Sequence, residues 1–309
     1  MCHRAVSASV IQVSASLNGP RVCPMIDPSA EDTYWRDNYA SRPYVSGATY
    51  DDYGPAYRYG VEGYGRYEGR KFDGALTLST QRGTEYVGAR KYGVSVRPGF
   101  FLRWGRLSVS SGGGWASVRH DDEIRGLGLQ LRRTDDVDLS LGLRSDSGRD
   151  ESSSDDLRGL GDAKRTIRVR IGGTWRFAPD WRLGLGWTID AFNRGGGNFV
   201  ELKVERDWRL TQRLELTTGS SVTAGGPRYM QTYFGVTAEQ SVRSGYAVYD
   251  PGTSLRDLQV YTTLRADIGD DWVGLLGLGL NHMLGDAADS PLTRRTTAWG
   301  LNVGIGWRF

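Results

Sequence analysis

The stretch 299–309, WGLNVGIGWRF, places a large apolar side chain at every odd position and glycine, asparagine or arginine at every even one. In an extended chain successive side chains point to opposite faces, so Trp299, Leu301, Val303, Ile305, Trp307 and Phe309 share one face. Gly300, Asn302, Gly304, Gly306 and Arg308 share the other. Such a strand is wet on one side only. A membrane barrel and a soluble sandwich both contain half-wet strands, and repetition decides between them.

From Gly74 onward the alternation recurs in about twelve segments of about ten residues, the length that crosses a bilayer as a tilted strand. The first is weak, with Leu76 and Leu78 on one face. The second, 91–104, sets Tyr92, Val94, Val96, Phe100, Leu102 and Trp104 outward. The third, 106–118, begins with Leu107 and Val109 and blurs at Gly112 to Gly114, where a glycine run marks a bulge or a close contact. Two shorter segments follow, on Leu127, Leu129 and Leu131 and on Val137, Leu139, Leu141 and Leu143. The clearest alternation lies at 167–177, 181–190 and 200–208; later segments center on Leu214 and Leu216, Leu258 to Ile268, Trp272 to Leu280, and the closing stretch.

The connections alternate as well. Links 104–107, 133–136, 178–181, 210–213 and 269–272 are tight, whereas those between them are mostly longer and more polar, the longest being 145–164 and 225–257. A sandwich imposes no such rule; an outer-membrane barrel does, with its short turns on the periplasmic rim. Trp104, Trp181, Trp208, Trp272 and Trp307 fall at or beside the short turns, as an aromatic girdle requires. Ten Trp and sixteen Tyr against eight Phe fit that setting. The expected fold is an all-β, antiparallel up-and-down transmembrane barrel over 73–309, with 1–72 as a poorly ordered extension.

Several classes are excluded. A formal charge of +3 is too small to argue for nucleic acid. No run approaches the roughly 18 apolar residues of a membrane helix. Cys2 and Cys23 precede the patterned region, and His3, His120 and His282 are scattered, so neither a disulfide framework nor a Cys/His metal site is expected. No cofactor is expected either.

The faces opposite the apolar ones carry formal charge, which a barrel turns into its lumen. Candidate lumen residues are Arg97 and Arg103 on the second segment and Arg168, Arg170, Arg176 and Arg182 on the sixth and seventh. Glu201, Lys203, Glu205 and Asp207 follow on the eighth, Arg213 and Glu215 on the ninth, and Arg265 and Asp267 on the tenth. In a narrow barrel these basic and acidic rows would pair across the lumen. Paired, they form a rigid polar plug; partly open, they form a charged constriction that selects small solutes.

The loop 225–257 is the best local candidate for a lid or a partner surface, through Tyr229, Met230, Tyr233, Phe234, Arg243 and Tyr249. Thr237 and Gln240 have capping-box spacing and Gly245 falls where a helix would stop, so AEQSVRS is expected to form one or two helical turns. YMQTYFGV before it is expected to extend the ninth strand or fold inward. Asp286 and Asp289 raise the question of calcium, but two carboxylates without further oxygen ligands favour a solvated loop. His282 lies on the lipid-facing parity with Leu280 and Leu284 as same-face neighbours, so no catalytic constellation is expected.

Long stretches also resemble a known family. PGFFLRWGRLSVS (98–110), LRGLGD (157–162), YMQTYFGVTAEQSVRSG (229–245), YDPGTSLRDL (249–258), LGDAADSPLTRR (284–295) and the closing GIGWRF are similar to the family of MltA-interacting protein and OmpV, outer-membrane proteins of Gram-negative bacteria. The resemblance implies an outer-membrane location in contact with the lipid bilayer. It implies a scaffold joining a murein hydrolase, a lytic transglycosylase, to a murein synthase in cell-wall growth, or alternatively a porin with a narrow charged lumen. It brings no catalytic residues. The beginning departs from the family. MCHRAVSASVIQVSASLNG makes a poor apolar core for an export signal, Cys23 lacks a lipoprotein context, and the Tyr/Gly/Asp/Arg-rich run 31–72 has no counterpart. A disordered extension or a misassigned start is expected there.

Overall fold

The computed structural model describes residues 28–41, 49–54, 72–112, 114–117 and 125–309. Cys2, Cys23, the export-signal stretch, most of the tyrosine-rich run and His120 lie outside them. The chain divides into two units, 1–70 and 71–309. In the first, a helix spans Pro28–Asn38 and a 3-10 turn spans Tyr39–Ser41. The Tyr50 hydroxyl donates to the Asp32 carboxylate at 2.8 Å, and Arg36 pairs with the same carboxylate at 3.3 Å. The sequence reading foresaw no regular element in this stretch.

The second unit is a closed barrel of twelve strands, each antiparallel to its neighbours. They are β1 Phe72–Thr84, β2 Tyr92–Trp104, β3 Leu107–Ser110, β4 Gly126–Arg133, β5 Val137–Asp146 and β6 Thr166–Ala178. Then come β7 Trp181–Asp190, β8 Asn198–Arg209, β9 Leu214–Gly225, β10 Ser254–Ile268, β11 Trp272–Met283 and β12 Thr297–Arg308. The seam between β1 and β12 pairs Leu76 with Trp307 and Leu78 with Ile305. Beyond β12, the Phe309 ring lies over Gly74, where an added Cβ would sit 2.6 Å from it. Glycine at that point lets the aromatic cover the seam.

Burial follows from solvent being lipid outside and water inside. Large apolar side chains are exposed along the outer wall, Val94 at 67% and Leu278 at 49% among them, because their burial partner is the bilayer. The five short turns share one rim with Trp104, Trp181, Trp208, Trp272 and Trp307; Arg206 stacks 3.7 Å over Trp208, its stem on the apolar belt and its charge at the rim. On the opposite rim Tyr92 and Trp299 pack at 5.3 Å.

One element differs from the sequence reading, and a second decides between its alternatives. β3 stops at Ser110 instead of running to 118: Gly112 has φ 123°, a backbone that ends a strand, and Gly114–Ala116 form a 3-10 turn. YMQTYF does not continue β9, which ends at Gly225, but takes the other expected course and folds inward, its Tyr229 and Tyr233 hydroxyls meeting Arg256 and Arg168. It belongs to a helix, Pro227–Phe234, started by a proline at its first turn. AEQSVRS forms the expected helix, Ala238–Ser244, with both halves of the Thr237/Gln240 capping box made and Gly245 left-handed at φ 78°.

Candidate functional site

The lumen has a floor, a hollow middle and a partial roof. The floor begins beyond β3: a 3-10 turn, Gly114–Ala116, followed by Ser117, lies inside the barrel near the periplasmic rim. Trp115 and Ala116 pack with Ala75, Phe101 and Val273, inward residues of β1, β2 and β11. On β12 they lie over Gly304 and Gly306, where an added Cβ would sit 2.9 Å from the Trp115 ring and 2.7 Å from the Ala116 methyl. Arg308 Nε donates to the Ala116 carbonyl at 2.9 Å, and Arg265 donates to the Ser117 carbonyl at 3.4 Å. Gly304 and Gly306, on the face opposite the apolar one, are the seat for an indole.

The rest of the floor is ionic. Arg182 contacts Asp207 at 3.0 Å and Glu205 at 3.6 Å, Lys203 contacts Glu205 at 3.3 Å, and Tyr261 donates to Glu205 at 2.7 Å. Asp267 receives Arg265 at 3.5 Å and also Arg308. Higher up, Arg170 reaches Glu201 at 2.9 Å. The expected pairing across the lumen is therefore corrected: charges pair with near neighbours along the wall, leaving the centre free. The geometric reason is on β7, where Gly184 and Gly186 form notches filled by the Lys203 stem and the Arg170 guanidinium. Side chains lying flat in those notches cannot reach the far wall.

Among the described residues, two sizeable cavities stand out in the middle. One, of about 650 Å³, runs along a neutral wall that includes Gln81, Gly277, Gly279, Gly300 and Asn302. The next inward positions down β12 are Gly304 and Gly306, the seat of Trp115, so the inserted segment underlies this cavity. The other, of about 510 Å³, lies against β5 to β10 and shares Gln259 and Tyr261 with the first. It is lined by Arg125, Arg144, Arg168, Arg170, Lys203 and Arg256, with Glu201 the one acid among its lining residues.

The roof joins the two sets of residues singled out from sequence. Tyr229, Met230 and Phe234 are buried with Met283 and Ala287, and Phe199 and Tyr233 pack on them. Arg168 donates to the Tyr233 hydroxyl at 3.1 Å and Arg256 to the Tyr229 hydroxyl at 2.7 Å. Burial pushes the Tyr233 hydroxyl above its ordinary range, and nearby Asp146 adds to this. Arg168 itself pairs with Asp146 and lies 5.6 Å over the Phe199 ring. Arg243 donates to the Gly159 carbonyl at 3.1 Å and Tyr249 to the Asp286 carbonyl at 2.8 Å, stitching the long loop to its neighbours.

The remaining candidates scatter. Arg103 lies 5.1 Å over the Phe101 ring, and Glu215 stands opposite Arg265 in register. Arg176 faces Arg182 in register beside a bulge, and Arg97 is exposed. Arg213 is a second correction: it precedes β9 and is exposed in the periplasmic turn. Asp286 accepts from the Gly252 amide at 2.9 Å, and among the described residues no group of three His, Cys, Asp or Glu could hold a metal. The His282 ring meets the Thr297 hydroxyl at 2.8 Å on the lipid-facing side. Sequence reasoning missed Trp115, Arg144, Asp146, Phe199, Arg256 and Asp257. A tryptophan straight after a glycine run inside a failing strand was the available signal for the first.

A closed barrel with an apolar outer band, aromatic rims and a charged lumen defines an outer-membrane β-barrel. The chain belongs to the family of MltA-interacting protein MipA, which matches residues 76–309. It is 27% identical over 150 residues to YiaT of Escherichia coli (strain K12), named provisionally as an outer membrane protein. That match covers 47% of this chain and 59% of YiaT, so the chain spans little more than half the relative's length. In fold it is similar to an outer membrane channel of Pseudomonas putida F1, at 12% identity and TM-score 0.42 over 77% of this chain and 95% of that one. It is also similar to the NanC porin, at 7% identity and TM-score 0.40 over 74% and 98%. The protein is located in the outer membrane.

Proposed function

We propose that this barrel is a channel for small solutes, closed on its periplasmic side by the inserted residues 114–117. The observation that carries the reading is Trp115 seated on Gly304 and Gly306 directly beneath a hollow lumen. A barrel that only needed rigidity would fill its middle with side chains; this one keeps glycine at Gly277, Gly279 and Gly300, facing the cavity. Residues 114–117 are tethered to the wall through the Arg265 and Arg308 hydrogen bonds and a small apolar patch, a modest anchorage for a lumen element. Planar-bilayer recording tests the reading. Wild-type protein should show rare, small openings and Trp115→Gly frequent ones; silence of both would overturn it.

We propose as a second reading a scaffold linking a murein hydrolase to a murein synthase, supported by the family's description as MltA-interacting. The periplasmic rim of the barrel offers five short turns for docking. Retention of a lytic transglycosylase by the detergent-solubilised full-length protein would support this reading, and passage of the enzyme without retention would count against it. The proposal includes no catalytic step.

A further inference from the structure

We infer that the cavity of about 510 Å³ against β5 to β10 is a binding site for a small hydroxylated solute bearing one carboxylate or phosphate group. The inference rests on the channel reading for the route by which solute arrives. The volume lies within the roughly 300–1,000 Å³ of small-molecule sites.

The arrangement of charge points to an anion. Arg144 on β5 stands directly opposite Arg168 on β6, and Arg170 is the next inward residue on that strand. Like charges directly opposite destabilise a sheet, so a wall built for stability alone would place an acid at 144. The Arg144 side chain carries no hydrogen bond or ion pair among the described residues. The acids that balance its neighbours are not among the lining residues: Asp146 pairs with Arg168, and fully buried Asp257 with Arg256 at 2.8 Å. A bulge in β10 between Leu255 and Asp257 inserts Arg256 as the extra residue, and Arg256 lines the cavity. The cavity therefore sees Arg144, Arg168, Arg170, Lys203 and Arg256, with Glu201 the one acid among its lining residues.

The heads are held in place before any ligand arrives. Arg170 lies in the notch of Gly186 and is fixed at one end by Glu201. Arg168 and Arg256 are stacked at 5.6 and 5.9 Å over Phe199 and tied to Tyr233 and Tyr229. Fixed guanidinium groups suit planar or tetrahedral oxyanions, which they grip through paired N–H donors. Ser140, Thr188, Ser221, Gln259 and Tyr261 line the same cavity with neutral donors and acceptors, which match hydroxyl groups on the ligand.

Calorimetric titration of the detergent-solubilised full chain tests the site, with glucuronate, glucose 6-phosphate, glucose and glucosamine as probes. One or both anions should bind at one site, glucose at least about tenfold more weakly, and glucosamine not at all. Glucuronate alone or glucose 6-phosphate alone would each support the site and name the anionic group. Arg144→Gln should weaken anion binding by about tenfold, the worth of one charge-assisted hydrogen bond. Ser140→Glu should abolish it, with heat-modifiable migration on gels showing that both variants fold. Glucose binding as well as the anions, no binding by any probe, or folded variants binding like wild type would overturn the inference. Anion binding without conductance in wild type or Trp115→Gly would sink the channel and keep the site; conductance without anion binding would do the reverse.

Discussion

Replacing Gly304 by leucine should open the lumen. A Cβ at 304 would lie 2.9 Å from Cζ2 and 3.1 Å from Cη2 of Trp115, against about 3.5–4.0 Å for an ordinary carbon contact. The indole must therefore retreat by about 0.5–1 Å for a methyl group alone, and further for an isobutyl group. β12 cannot yield, since it is hydrogen-bonded to β1 on one side and β11 on the other. The strain falls on residues 114–117, whose tethers are the Arg308 and Arg265 hydrogen bonds. Overpacking of this kind costs about 1–3 kcal/mol. Taking about 2 kcal/mol, the ratio of displaced to seated segment rises about thirtyfold. A segment displaced roughly 1% of the time would become displaced roughly a quarter of the time. Single-channel recording reads this as open fraction. A Gly304→Leu barrel that folds, shown by heat-modifiable migration, and keeps the wild-type open fraction would refute the gating argument.

Other consequences concern wall, roof and pH. Leu278→Arg on the lipid face should cost about 2–4 kcal/mol in urea unfolding from vesicles, whereas Gly279→Ser, facing the lumen, should cost far less; equal costs would contradict the parity of β11. Thr237→Ala removes the cap of the helix Ala238–Ser244 and should cost that helix about 1 kcal/mol, read as faster amide exchange there; unchanged exchange would contradict it. Tyr86 donates to the Leu292 carbonyl at 3.0 Å, and burial, reinforced by Asp156, pushes its pKa well up. Because the folded value is the higher one, its contribution is intact below the ordinary tyrosine pKa of about 10 and is lost as pH rises through the raised folded value. Protease cleavage of the outer loops should therefore climb above about pH 10, and less steeply in Tyr86→Phe; identical profiles would contradict this.

Strand number, parity and the two rims were legible because a lipid-facing wall writes a period of two into the sequence, as in Ile167, Val169 and Ile171. The capping box at Thr237 was legible for the same reason: its cause is local. That Pro227–Phe234 is a helix was not foreseen, although Tyr229 with Tyr233 and Met230 with Phe234 carry helical i, i+4 spacing. The ion-pair pattern was not legible, since the partner of Arg168 is Asp146 on an adjoining strand and that of Arg170 is Glu201 two strands away. Arg256 was hidden by a bulge, which breaks the alternation that parity depends on. Arg213 was misplaced because alternation was carried one residue past the start of β9. Most of all, Trp115 follows from no periodicity: its place is set by a strand that ends after four residues and by two glycines nearly 200 positions away.

The most direct test of a gated lumen is a reversible tether. In a Cys2→Ser, Cys23→Ser background, Ala116→Cys and Gly306→Cys put two thiols within reach, the Cβ at 306 lying 2.7 Å from that of Ala116 before relaxation toward the about 3.5–4.5 Å of a disulfide. Conductance is then recorded on one bilayer before and after reductant. A closed lumen while the bridge is intact, followed by openings more frequent than wild type once it is reduced, is the result the gate predicts. Equal conductance in the bridged and reduced states would contradict it.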